Sequence, residues 1–78
     1  MEITRGDLEN RFGFHPATDE TRKKHQRVRE SFITFTEELI GIVPESRERS
    51  LMITALEEAS MWANAGIARN LAPLKLGE

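Results

Sequence analysis

Five cations, Arg22, Lys23, Lys24, Arg27 and Arg29, fall within eight positions, with His25 among them. If this stretch begins a helix, its side chains add to the partial positive charge of the helix N-terminus, a combination suited to phosphate. Arg22, His25 and Arg29 are spaced i, i+3, i+7 and share one face. Just upstream, Phe14 and His15 offer flat rings on which a base can stack. Cations beside an aromatic plane suit a nucleotide. A charged helix start is, however, more often a solvated face than a site.

Other chemistry is poorly served. His15 and His25 lie ten residues apart without HExxH or comparable spacing, so no zinc ligand set is expected. Glu57 and Glu58 are adjacent, and on a helix they point about 100° apart, so they cannot act together on one substrate. Glu57 is expected to pair with an Arg across the fold. No Ser or Thr is grouped with a base and an orienting residue. The chain is therefore read as a non-enzyme with no catalytic residue, no metal and no cofactor. Arg69 and Asn70 end an apolar, small-residue helix face. Arg69 could meet an anion at the symmetry axis of an assembly, or could simply complement the helix C-terminus. Trp62 is expected in the core with its indole nitrogen hydrogen-bonded.

The elements that would position these groups are all helices. A short helix is expected over residues 4–13, with Thr4 as cap, Asp7 in the first turn, and Leu8 and Phe12 on one apolar face. Gly13 can end it. Residues 14–19 form a connector in which Pro16 biases His15 toward an extended backbone, and Thr18 or Asp19 caps the next helix. This second helix is expected over 20–41, its seam formed by Val28, Phe32, Phe35 and Leu39, with Ile33 and Ile40 opening a second apolar line. Gly41 can supply its C-cap, and Pro44 forbids simple continuation. A third helix is expected over 46–70. Leu51, Ala55, Ala59, Trp62, Ala63 and Gly66 make its stripe, which widens through Met61, Ala65, Ile67 and Ala68. Residues 71–78 form a tail. Two helices, each about 35 Å long and joined by a tight turn, make an antiparallel hairpin.

This is one domain of 78 residues with 38% hydrophobic and 31% charged content, no cysteine and a net charge of −2. A chain so small, without disulfide or metal, needs another staple, and oligomerisation is the one left. The third helix agrees: it is apolar nearly all round, and one partner helix cannot cover it. No run approaches the roughly 20 apolar residues of a membrane span, and MEITRGDLEN reads as no signal peptide, so a cytosolic protein is expected. The acidic balance and the lack of a turn-linked recognition helix disfavour DNA or RNA binding.

Arg47-Glu48-x-Ser50-Leu51, Leu56-Glu57-Glu58-Ala59 and the run Met61 to Asn70 resemble the hairpin domain of phage anti-CBASS sponge proteins, a domain shared with some Thoeris anti-defence proteins. Phe14-His15-x-Ala17 and His25-x-x-Val28-Arg29-Glu30 extend the likeness over residues 10 to 72. The resemblance implies a helical hairpin that assembles into a homohexamer in the host cytoplasm. It would capture cyclic oligonucleotide messengers such as cyclic GMP–AMP without cleaving them, so that CBASS effectors are starved of signal. Such hexamers hold cyclic dinucleotides between paired protomers and cyclic trinucleotides at three-fold contacts. By position, Phe14 corresponds to the aromatic that stacks on a base, next to His15. The family usually has Tyr there, so a hydroxyl contact is absent. The cationic phosphate contact falls at or near Arg29, with His25 one turn away. The trinucleotide site would draw on the small face from Ala65 to Ala68 and on Arg69 and Asn70. Two alternatives stay open: a sponge for cyclic ADP-ribose signals, as in the Thoeris relatives, and an oligomeric protein–protein adaptor.

Overall fold

Thr4, Thr18 and Ser46 each begin a helix by accepting a backbone N–H three residues on, at 3.1 Å in every case. These caps satisfy donors that a helix start leaves free. The computed structural model describes residues 2–71 and contains α1 (Arg5–Phe12), α2 (Asp19–Ile42) and α3 (Arg47–Leu71). Among the described residues there are three helices and no strand, so the chain is all-α. The expected tail, with Pro73 and Gly77, lies outside the described residues apart from Leu71, which continues α3.

α2 and α3, of 24 and 25 residues, pack against one another as a hairpin, and α1 touches it only slightly. α2 runs through Gly41 rather than stopping there. It ends at Ile42, because Val43 precedes Pro44 and takes an extended backbone (φ −90°, ψ 122°) that cannot continue a helix. The turn is held from α3, where Arg49 donates to the Val43 carbonyl at 3.4 Å and the Ser46 hydroxyl donates to the Pro44 carbonyl at 2.9 Å.

The seam differs from the expected one. Val28, Phe32, Thr36 and Leu39 of α2 are half-buried with Met52, Leu56, Ser60, Ala63 and Ile67 of α3. Phe35, expected in the seam, is 48% exposed. At 100° per residue Thr36 lies about 40° round from Phe32 and Phe35 about 60° on the other side, so the hydroxyl faces α3 and the ring does not. Of the expected α3 stripe, Ala63 lies in the true seam, whereas Leu51, Ala55, Trp62 and Gly66 sit about 110° from it and Ala59 is exposed as well. Trp62 is 61% exposed and is no core residue of the single chain. Glu57 is exposed and in no ion pair among the described residues, against the expected pairing with an Arg.

No apolar side chain among the described residues is fully buried. Among the described residues the one buried side chain is Thr21, at 1% exposure. It closes the α2 capping box: its hydroxyl accepts the Thr18 N–H at 2.8 Å while its own N–H donates to the Thr18 hydroxyl. The start of α2, where the cations gather, is thus fastened by reciprocal bonds between Thr18 and Thr21.

Candidate functional site

Helix geometry divides the basic cluster between two flanks of α2. Lys24 and Arg27 line a groove of about 360 Å³ with Val28, Ser31 and Phe32, closed on the α3 side by Ala63 and Ile67. Arg22, His25 and Arg29 lie on another flank, about 160° away from Lys24 and Arg27. Arg22 donates to Asp19 at 3.0 Å and is partly neutralised by it. Lys23, Lys24, Arg27 and Arg29 form no ion pair among the described residues. Their charge is free to act on a ligand.

His25 is half-buried. Its Nδ1 lies 2.7 Å from Oδ1 of Asn64, across the hairpin from α3. Asn64 in turn donates from Nδ2 to the Ser60 carbonyl at 3.0 Å. Arg29 stands one turn beyond His25 on the same flank and is exposed.

Phe14, in the connector, is 65% exposed and presents an open ring. His15 beside it is fastened: Nε2 donates to the Asn10 carbonyl at 2.8 Å, and Nδ1 is enclosed without a partner among the described residues. Nε2 holds the connector against the end of α1 and Nδ1 is enclosed, so His15 can meet a ligand only through its ring face. No hydrogen bond joins Phe14 or His15 to His25 or Arg29.

At the other proposed site, Ala65 and Arg69 are half-buried one turn apart on α3. Asn70 is turned back on its own helix, its Nδ2 donating to the Gly66 carbonyl at 2.8 Å. Asn64 and Thr21 were not singled out by sequence reasoning. A lone amide in the small, apolar run from Met61 to Ala68 was a signal for Asn64, but its partner is 39 residues away and no local rule reaches it.

Among the described residues no group of three or more His, Asp or Glu side chains is placed to hold a metal ion. No helix there is long and apolar enough to cross a membrane.

The family model described as Acb2/Tad1, hairpin domain, matches residues 5–68. Comparison with curated proteins and with solved structures gives no match.

Proposed function

The chain belongs to the Acb2/Tad1 hairpin-domain family, an anti-defence sponge family, and from that premise we propose that it captures cyclic dinucleotides such as cyclic GMP–AMP, and cyclic trinucleotides, without cleaving them. The observation that carries this reading is the family match over residues 5–68, which takes in all of α2 with its basic start and α3 as far as Ala68. The geometry supports it. A phosphate needs cations not already spent on carboxylates, and Arg29 is exposed and unpaired among the described residues. A base needs an open aromatic face, and Phe14 presents one.

Capture would take place in an assembly, which we propose to be a hexamer in the host cytoplasm. Leu51 and Trp62 on α3, and Ile33 and Ile42 on α2, are each more than half exposed and need cover. A cyclic dinucleotide has two bases and two phosphates. A two-fold contact that brings two copies of Phe14 and Arg29 together matches it. A three-phosphate ring similarly suits three copies of Arg69.

The family name joins two kinds of sponge, so a cyclic ADP-ribose ligand is the second reading. Calorimetric titration with cyclic GMP–AMP, cyclic tri-adenylate and cyclic ADP-ribose, followed by chromatography of the recovered ligand, tests both. Intact recovery with binding establishes a sponge. Binding of the ADP-ribose alone selects the second reading. No heat with any of them leaves a protein–protein adaptor.

A further inference from the structure

We propose that Asn64 is a positioning residue for the ligand pocket. It fixes the His25 ring with Nδ1 protonated and Nε2 free as an acceptor, so that His25 takes an N–H or O–H from the ligand and not a phosphate oxygen. The ligand-facing half of this proposal rests on the sponge reading.

The assignment follows from the inventory of donors and acceptors. An amide side chain has one accepting oxygen and one donating nitrogen. The nitrogen of Asn64 is spent on the Ser60 carbonyl, so the atom turned to His25 is the oxygen. That oxygen only accepts, and Nδ1 at 2.7 Å must therefore carry the hydrogen. In a neutral imidazole the second nitrogen is then a bare lone pair.

That second nitrogen is available. Nε2 of His25 makes no hydrogen bond among the described residues, and it is not enclosed, since the enclosed and unpartnered side-chain nitrogen there is Nδ1 of His15. The ring is thus gripped along one edge, between two packed helices, and not fully enclosed along the other.

Two neighbours on one flank then have different tasks. Arg29 carries a permanent charge and donates, so it suits phosphate. The lone pair of His25 repels a phosphate oxygen and accepts from a donor. On a cyclic nucleotide those donors are the amino groups of the purines and the ribose hydroxyls.

The test has two arms, both on the full chain. The first reads the His25 tautomer by long-range ¹H–¹⁵N correlation without ligand. Wild type should show Nδ1–H. Asn64→Asp keeps an accepting oxygen and should show the same, whereas Asn64→Leu should no longer be held to one tautomer. The second titrates cyclic GMP–AMP, analogues lacking the purine amino groups, and a 2′-deoxy analogue. Wild type should bind one analogue class about three- to tenfold more weakly, and which class it is assigns the donor to base or ribose. Asn64→Leu should bind parent and analogue alike. An Nε2–H tautomer in wild type, or undiminished discrimination in Asn64→Leu, would overturn the proposal. If wild type bound no cyclic nucleotide, the sponge reading would fall and the ligand-facing half with it, while the tautomer would still decide the Asn64 half.

Discussion

Asn64 Oδ1, 2.7 Å from His25 Nδ1, ties α3 to α2 at the end of the hairpin remote from its turn. Among the described residues no other side-chain hydrogen bond joins these two helices. Removing the bond with Asn64→Leu should cost about 1 kcal/mol of stability. The loss should be local. Amide exchange should quicken around Thr21 to Val28 and stay unchanged beside the turn, near Leu39 and Met52. Uniform quickening would mean that the bond does not fasten the open end.

Phe14 is mostly open to solvent, so trimming its side chain should spare the fold. Phe14→Ala should weaken dinucleotide capture by about 1–3 kcal/mol, the size of one base-stacking contact, with unchanged helix content by circular dichroism. Titration with cyclic GMP–AMP reads the first effect. Unaltered affinity would remove Phe14 from the pocket.

The hairpin itself was legible in the sequence, because two long amphipathic segments flank the short GIVPE link. The sides of the helices that meet were not. Both helices are apolar on more than one side, and periodicity cannot tell which stripe faces the chain's own partner and which faces outward. Phe35 was the more attractive seam residue by hydrophobicity, yet Thr36 occupies the seam, and the stripe through Leu51 and Trp62 faces away from α2. The stop of α2 lay in Pro44 rather than in Gly41. At the candidate site, Phe14, His25 and Arg29 could be picked by type and spacing. Asn64 could not, since its role depends on a histidine far off in the chain.

Arg69 stands on the outward side of α3, about 20° from Trp62 and in line with Leu51, well away from the flank of α2 that holds His25 and Arg29. Arg69→Ala should therefore leave cyclic dinucleotide capture within twofold and impair capture of cyclic tri-adenylate. Parallel titrations with the two ligands separate the effects. Equal loss of both would show that one pocket serves them.

α1 should fray in acid, and Asp7 sets where. Thr4 donates to the Asp7 carboxylate from both its backbone N–H and its hydroxyl, each at 3.0 Å. These bonds, backbone first, hold the Asp7 pKa below its ordinary value of 3.8, with a smaller aid from Arg11. The folded pKa is thus the lower one. The stabilisation is complete above the unfolded pKa and disappears as pH falls through the folded value. Chemical shifts of Arg5–Phe12 followed through the acid range should report a loss of helix that Asp7→Asn, already lacking the charge, does not show.

Gly66 separates packing within the chain from packing between chains. Apart from the backbone of its own helix, a Cβ there would meet nothing within 4 Å, so a side chain at 66 starts into open space in the single protomer. The substitution should even favour α3, since glycine in a helix interior costs roughly 1 kcal/mol relative to better helix formers. Harm from the substitution would therefore point to a neighbouring copy, as the proposed assembly requires. Gly66 lies on the outward stripe with Ala55, Ala59 and Trp62, where small residues would let a second backbone approach closely. Native mass spectrometry and light scattering should find Gly66→Leu dissociated or reduced in assembly order, with helix content equal to or above that of wild type. A hexamer that persists with leucine at this position would place the assembly contact elsewhere on the hairpin.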